Sequence, residues 1–448
     1  MGTVQPFGQF VRELETESHP PLLHLLLRAG VPPTSSTLVP RLPGLAAGLA
    51  SVVLVHAVAL RLGLPRAYAL TGALAAGIAT DAVSMAACVR GYMLANAFTL
   101  AALLAVLCGR PRWFGAMALG ALGSEYSAGM PIVALASWLR RELWRDRIGL
   151  GLLAVACVGT GVWLGWTAPG SAYNHLAAFL PAGRPLPVFL WQALAAEFTL
   201  FAPLAWPEPV AAALGLLVLG LATWRWRADA AAAALASTSW LLVLLAACAR
   251  YPLGGNLRQQ FVLWPFLLLG MLALLAALGR RLRLSAWPAA AAALCIGLLA
   301  WSGLRDGSRD EVPAVAIGHV ETAVLRELLP AGASVCVDGH TSVVLFGNLR
   351  EQVWRRVDGH HGNRCFVVGD PARLRVWRDF AWDHPSPPFA LLAELMRQRG
   401  IERLAWFSLP QLGAPDRIPG DAAQAAAAGV RLLDSRRIGR GGFVLVAR

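Results

Sequence analysis

Long apolar runs separated by short polar segments dominate the first two-thirds of the chain. A membrane-spanning helix needs about 20 mostly apolar residues, and eight runs come close to that length. They cover residues 43–60, 67–87, 93–108, 148–166, 208–224, 229–247, 259–279 and 285–302. A further run, 114–139, is long enough for one span, but Gly123-Ser124-Glu125-Tyr126-Ser127 interrupts its middle. The pattern predicts a polytopic α-helical membrane domain of about eight spans.

The arginines decide how residues 114–139 are interpreted, because loops on the cytoplasmic side of a membrane retain positive charge. We place the N-terminus outside and treat 114–139 as a hairpin of two half-span helices, so that 13 arginines lie in cytoplasmic loops. Outer loops between spans then hold only Arg90, Arg184, Arg250 and Arg258. A single span at 114–139 would reverse every later span and remove this bias. The sequence therefore predicts the hairpin.

The composition changes near residue 304. Residues 1–304 carry 20 arginines and 10 acidic residues, whereas residues 305–448 carry 19 arginines and 16 acidic residues. The later region is predicted to contain helices at 316–329, 390–399 and 421–428, strands at 334–337, 365–368 and 403–407, and apolar runs at 430–433 and 443–447. We predict three parts: an outer N-terminal loop with an interfacial helix (1–42), a multi-span membrane domain (43–304) and a small extracytoplasmic α/β domain (305–448). The outer segment 167–207 is predicted to hold a second interfacial helix.

The overall composition excludes two classes of protein. Apolar residues make up 57% of the chain and charged residues 15%, against about 45–50% and about 25% in soluble domains. An entirely cytosolic protein is therefore excluded. The formal net charge of +13 would suit nucleic acid, but the arginines of the membrane domain lie at the ends of the predicted spans, so no nucleic-acid partner is expected.

Four polar segments fall on the outer side in this topology. They are Glu13, Glu15 and Glu17 with His19-Pro20-Pro21-Leu22 and His24; Asp81, Arg90 and Tyr92; Glu125 and Tyr126; and the loop from Arg250 through Gly254-Gly255 to Arg258. Each segment also has a structural interpretation. In the same order, these are a solvated acidic segment before an interfacial helix, an Asp81–Arg90 ion pair, a helix cap at the hairpin tip, and arginines that bind lipid headgroups.

Together these residue types suit transfer from a lipid-phosphate donor to an acceptor hydroxyl. A carboxylate within an apolar run is costly unless it faces a polar cavity or a partner. Such a carboxylate would accept the proton of the hydroxyl as general base. Arginine would bind the phosphate through charge-assisted hydrogen bonds, and arginine or a metal ion would stabilise it as it departs.

Several motifs resemble bacterial membrane glycosyltransferases of the GT-C superfamily. The resemblance begins at His19-Pro20-Pro21-Leu22, with its leucine-rich continuation, and at Arg41-Leu42-Pro43. More narrowly, Asp81-Ala82-Val83-Ser84 leading to Arg90-Gly91-Tyr92-Met93-Leu94 is similar to a segment of polyprenyl-phosphate-sugar transferases related to protein O-mannosyltransferases, the glycosyltransferase family 39-like group. Tyr251-Pro252 through Arg258 and Pro265 resembles that group's late outer loop. The similarity runs in patches over residues 13–270.

The resemblance implies an inverting hexosyl- or pentosyltransferase of the bacterial inner (plasma) membrane. Its donor would be a polyprenyl-phosphate-linked sugar, its acceptor a glycan, lipid or protein, and its active site would lie on the extracytoplasmic face. Some members of the group use a divalent metal ion. By position, His19 and Asp81 would lie at the acceptor and donor cavity, and Arg90 and Arg258 near the lipid phosphate.

The chain departs from this group at two places. Members begin with a transmembrane helix followed by an acidic catalytic base, whereas this sequence begins after that point, which predicts either that the helix lies upstream of Met1 or that the usual base has been lost. A basic residue or histidine usually stands near the hairpin-tip tyrosine, where this chain has Glu125. The candidate catalytic residues are therefore Asp81 and Glu17. The candidate substrate-binding residues are His19, Arg90, Tyr92, Glu125, Tyr126, Arg250 and Arg258.

Two other functions fit the same features. One is a transporter or flippase of lipid-linked glycans, although we find no internal repeat and few charged residues within the spans. The other is a non-catalytic relative that binds a lipid-linked sugar or a partner protein. The sequence favours this alternative in one respect, because it does not contain the first helix and the acidic base of the group.

Two of the seven cysteines stand apart from the apolar spans. Cys336 and Cys365 both fall in predicted strands of the C-terminal domain. An oxidising compartment would allow them to form a disulfide, and free thiols are the alternative.

Overall fold

The computed structural model describes two compact units of the chain. The first unit contains Glu17–Ser308 and the second contains Arg309–Arg448, and each unit is described by itself. The described residues are 20–30, 38–167, 187–188, 191, 208–247, 261–281, 334–337, 364–367, 370–376, 389–400, 402–408, 422–438 and 441–448. The predicted span 285–302, the predicted helix 316–329 and most of the segment 167–207 lie outside these residues.

The first unit is helical throughout its described length. Its helices are α1 (Leu22–Gly30), α2 (Leu42–Arg61), α3 (Arg66–Ile78), α4 (Thr80–Ala87), α5 (Tyr92–Leu107), α6 (Pro111–Ser124), α7 (Gly129–Trp138), α8 (Arg140–Arg145), α9 (Arg147–Thr167), α10 (Glu208–Arg225), α11 (Ala230–Ala247) and α12 (Trp264–Arg281). Short 3-10 turns precede three of them, at Val39–Arg41, Tyr126–Ala128 and Phe261–Leu263.

Three stretches of helix among the described residues are long and apolar enough to cross a membrane, namely Val39–Arg61, Arg147–Trp166 and Phe261–Arg281. Shorter apolar helices lie at Tyr92–Leu107, Gly215–Arg225 and Ala230–Leu245. The structure thus agrees with the predicted membrane character. Most of the predicted spans coincide with helices whose ends differ from the predicted bounds by only one or two residues.

The predicted span 67–87 is wrong as a single helix. The first part, α3, ends at Ile78, and Ala79 takes an extended conformation with φ −60° and ψ 118°. A new helix, α4, then begins at Thr80. Threonine and aspartate favour helix starts, because their side chains cap backbone N–H groups and a negative charge suits the helix N-terminus. Asp81 is therefore the second residue of a short helix and lies two residues beyond the break at Ala79.

The run 114–139 folds back on itself at Glu125. The first arm is α6 and the second is α7, and the first residue of the loop between them, Glu125, is extended with φ −158° and ψ 132°. The chain then returns to the end at which it began, because Arg112 Nε lies 2.8 Å from Asp146 Oδ2. Gly149 also packs against Pro111, where a Cβ on Gly149 would lie 2.7 Å from the Pro111 carbonyl oxygen. This is the geometry that the arginine pattern predicts.

Asp146 joins this returning segment to α9. Its Oδ1 accepts hydrogen bonds from the backbone N–H groups of Ile148 and Gly149, each at 3.1 Å. The hydrogen bond from Gly149, helped by the bond from Arg112, holds the pKa of the Asp146 carboxyl below its usual value. A charged Asp146 thus caps α9 and ties the two arms of the hairpin at their shared end.

Large exposed indole rings accompany the arginines at this end of the unit. Trp113 on α6 and Trp144 on α8 are 62% and 75% exposed, and each lies next to an arginine in the chain. Tryptophan beside arginine is typical of the region where a membrane meets water, because the indole has an apolar body and a polar N–H group.

The second unit contains a mixed sheet with two described helices. Its strands are β1 (Ser334–Val337), β2 (Arg364–Val367), β3 (Asp370–Val376), β4 (Arg403–Ser408), β5 (Arg431–Ile438) and β6 (Gly441–Ala447), in the order β3-β2-β1-β4-β6-β5. The pair β1–β4 is parallel and the other pairs are antiparallel. The helices are α13 (Phe389–Arg399) and α14 (Ala422–Ala427).

The core of the second unit lies between these helices and alternate residues of the sheet. Leu392 and Met396 of α13 pack with Leu404, Val444 and Val446, all nearly inaccessible to solvent. The predicted helices and strands at 334–337, 390–399, 403–407 and 421–428 are therefore present within a residue or two. Strand β3 was not predicted, because three residues of its sequence Asp-Pro-Ala-Arg-Leu-Arg-Val are charged and one is proline.

Candidate functional site

The helix break at Glu125 lies directly against the start of α5. A Cβ placed on Gly91 would lie 2.1 Å from the carbonyl oxygen of Ser124 and 3.0 Å from its carbonyl carbon. Two backbone segments approach so closely here that only glycine fits at position 91. The structure thus brings together two of the predicted segments, Arg90-Gly91-Tyr92 and Glu125-Tyr126.

Glu125 is a buried carboxylic acid at this junction. It is only 7% exposed, and its backbone N–H closes α6 by donating to Ala121 O at 3.0 Å. Ser124 is also buried, and its hydroxyl donates to Gly120 O at 2.7 Å. Because the extended backbone of Glu125 starts the next turn, which includes Tyr126, both residues lie where the two helical arms meet.

Helix α1 reaches the same place from the N-terminal side. A Cβ on Gly123 would lie 3.4 Å from Leu22 Cβ, an ordinary van der Waals distance. Leu23 and Pro20 are buried. The leucine-rich run after His19-Pro20-Pro21 is therefore packed on the unit beside the helix break, although His19 and Glu17 themselves lie outside the described residues.

Phe261, the first described residue after Arg258, lies at the same end of α5. Asn96, which is 1% exposed, donates from Nδ2 to the carbonyl oxygen of Phe261 at 3.0 Å. Asn96 lies one helical turn beyond Tyr92, on the same face of α5. Phe261 and Trp264 are buried and their rings stack at 5.8 Å. Arg250 and Arg258 lie outside the described residues, but the chain that follows them is anchored here.

Helix α4 connects Asp81 to this junction. It contains eight residues, about 12 Å of helix, and Cys88 to Arg90 join its end to Gly91. Its last turn is held against α2, where a Cβ on Gly44 would lie 2.5 Å from Ala86 O. Asp81 therefore stands one short helix away from Arg90, which is exposed, and from Tyr92, which is half-buried.

The sequence analysis missed three residues that organise this junction. Gly91 and Ser124 form the backbone contact, and Asn96 ties α5 to Phe261. A signal for Asn96 was present, because an amide inside an otherwise apolar helix needs a polar partner. Gly91 lay within a quoted motif, but its contact depends on a residue more than thirty positions away.

Among the described residues, no group of three or more His, Cys, Asp or Glu side chains would hold a metal ion. Of the carboxyl groups assigned to the site, Glu125 has a described side chain. Glu13, Glu15 and Glu17 lie outside the described part of the chain. A divalent metal ion at this site therefore stays a prediction, and the chemistry below is written for the protein groups.

The Asn96 hydrogen bond gives a direct stability prediction. Replacing Asn96 by leucine would leave the buried Phe261 carbonyl without its donor, which costs about 1–3 kcal/mol. Reversible unfolding in detergent should show this loss. Thr99→Val is the matched control one turn along, because the Thr99 hydroxyl bonds only to Ala95 O in its own helix, a carbonyl that keeps its helical N–H partner. Equal losses for both variants would contradict the prediction.

Comparison of the chain with protein-family models, with curated proteins and with solved structures found no match. The junction of α1, α4, α5, the α6–α7 break and Phe261 is therefore interpreted from its own geometry and from the motifs in its sequence.

Proposed function

We propose that the first unit is an inverting glycosyltransferase that moves a sugar from a polyprenyl-phosphate donor to an acceptor hydroxyl. The observation that supports it most is the Gly91–Ser124 contact, because it joins the predicted phosphate segment to the predicted hairpin tip. Leu22, which follows the His19-Pro20-Pro21 motif, and Phe261, which follows the loop with Arg258, also contact this junction. One site built from four distant parts of the sequence is what such a transferase would need.

The proposed orientation of the first unit in the membrane follows from the residues at the two ends of its helices. Arginines and exposed tryptophans mark the end with Arg112 and Trp144, which we place at the cytoplasmic face of a bacterial inner membrane. The junction lies at the opposite ends of α5 and α6, hence on the extracytoplasmic face. In this arrangement α6 and α7 form a re-entrant hairpin beside about eight spans, and the second unit is extracytoplasmic.

The proposed reaction is a single displacement at the anomeric carbon. The acceptor oxygen attacks from the face opposite the phosphate and forms the new C–O bond. The bond between carbon and phosphate oxygen breaks, and its electron pair leaves with polyprenyl phosphate. A carboxylate, Asp81 or Glu17, receives the hydroxyl proton. Attack from the opposite face inverts the configuration of the sugar.

The other site residues bind the substrates in this proposal. Arg90, Arg250 and Arg258 would hold the phosphate and stabilise its growing charge. His19, Tyr92, Glu125 and Tyr126 would donate and accept hydrogen bonds to the sugar and the acceptor. A donor buried in lipid explains why these residues would stand at the membrane boundary.

The test is sugar transfer by the purified protein in detergent. Polyprenyl-phosphate hexose and pentose donors, labelled in the sugar, are supplied with membrane glycans, lipids and proteins from the native cell as acceptors. We expect labelled acceptor together with free polyprenyl phosphate. A transporter in proteoliposomes would move the donor across the bilayer without releasing polyprenyl phosphate. Donor binding without either activity would identify a non-catalytic binding protein.

A further inference from the structure

Two cysteines of the second unit occupy directly opposite positions in its sheet. Strand β1 pairs with β2 in an antiparallel ladder, and the register places Cys336 opposite Cys365. The flanking pairs are Val335 with Phe366 and Val337 with Arg364. The two cysteines are 29 positions apart in the sequence (365 − 336), so their pairing depends on the tertiary structure and not on any local sequence pattern.

This register meets the distance requirement of a disulfide. Directly opposite residues of an antiparallel pair have Cα atoms about 4.5 Å or about 5.5 Å apart, depending on the hydrogen-bonding position. Both values lie within the range of about 4.4–6.8 Å seen across disulfides. Opposite residues also share one face of the sheet. The register therefore brings the two cysteines within the range that a disulfide can span.

A disulfide at this position would stabilise the attachment of β2 and β3 to the sheet. Strand β2 joins β3 to the rest of the sheet, and its ladder with β1 is only four residues long. A covalent bond in the middle of that ladder would hold β2 and β3 in place and close the segment 337–364. Closing a segment of this length restricts the unfolded chain strongly.

We propose that Cys336 and Cys365 form a cross-strand disulfide. Each thiol gives up its proton, the two sulfurs join, and two electrons pass to the disulfide of a thiol–disulfide oxidoreductase, which becomes a dithiol. The proposal rests on the extracytoplasmic placement of the second unit, because such bonds form and persist in oxidising compartments. The described cysteines of the first unit, Cys88, Cys108 and Cys157, are free.

The experiment counts thiols in the full-length protein. A variant with Cys88, Cys108, Cys157, Cys248 and Cys295 all replaced by serine keeps only Cys336 and Cys365. Cells are quenched in acid, and the denatured protein is labelled with a maleimide polymer before or after reduction. We expect no label without reductant and two labels after it. Adding Cys336→Ser to this background should give one label under both conditions. Peptide mapping of the wild-type protein should recover the linked peptides.

Two labels in the unreduced protein would overturn the proposal. Treatment with a mild oxidant then shows whether the compartment or the strand register was wrong. If copper–phenanthroline joins the two thiols in membranes, the register is right but the domain stands in a reducing compartment, which also contradicts the proposed orientation. If the thiols stay apart under the oxidant, the pairing is wrong, and the transferase and its orientation are judged by the transfer assay alone.

Discussion

Replacing Asp81 by asparagine is expected to lower the rate of sugar transfer by about 10²–10⁴-fold, the usual contribution of a general base. Asparagine has nearly the same shape, but its amide does not accept the proton of an acceptor hydroxyl. Asp81 is the second residue of α4 and follows the helix break at Ala79. Transfer from a polyprenyl-phosphate donor, followed as released polyprenyl phosphate, measures the effect.

Asp229→Asn is the matched control for this variant. Asp229 caps α11 by accepting hydrogen bonds from the N–H groups of Ala231 at 2.9 Å and Ala232 at 3.2 Å. Asparagine caps a helix as well as aspartate does, so this variant should keep both fold and transfer. Wild-type transfer by Asp81→Asn would contradict its role as base, and Glu17→Gln would then test the other candidate. Full cellular function in both variants would favour the binding protein.

Replacing Gly91 by alanine is expected to destabilise the first unit and to abolish most of its transfer activity. The added methyl carbon would lie 2.1 Å from Ser124 O, a backbone atom that moves only if the α6–α7 break moves. Overpacking of this kind costs about 1–3 kcal/mol. A displacement of about 1 Å in a site costs about 10²-fold in rate. Unfolding in detergent and the transfer assay measure the two effects.

Gly159→Ala supplies the control for the Gly91 variant. Gly159 lies within α9, and nothing stands within 4 Å of a Cβ placed on it. Alanine favours a helix over glycine by about 1 kcal/mol, so this variant should be at least as stable as the wild type. If Gly91→Ala were equally stable and active, the close backbone contact would not organise the site.

Both predictions depend on one property of the junction. Its parts come from α1, α4, α5, the α6–α7 break and Phe261, which are far apart in the sequence. The backbone contact at Gly91 and the hydrogen bond from Asn96 therefore set the distances between them. Changes at either position should affect substrate binding by side chains that they do not touch.

Much of the helical architecture follows from local properties of the sequence. The run 43–60 became α2 (Leu42–Arg61), and 259–279 became a helix within Phe261–Arg281. A continuous apolar run of this length forms a helix in any membrane environment, because its backbone polar groups must bond internally. The hairpin at Glu125 was also predicted from the sequence, because arginines on both sides of the run 114–139 are expected on the same side of the membrane. The Arg112–Asp146 contact agrees with that interpretation.

Tertiary packing decided what local pattern could not. Thr80 and Asp81 suit a helix start, but the run 67–87 contains no proline to break it, and the break at Ala79 coincides with the packing of α4 against Gly44. The proposed site needs Gly91 at Ser124 and Asn96 at Phe261, and the sheet of the second unit sets Cys336 opposite Cys365. By itself the sequence determined most of the described helices and the turn between α6 and α7. Only the tertiary structure decided which residues contact each other. These contacts join positions that are far apart in the sequence, and many ways of packing the same helices would satisfy the local preferences of the chain.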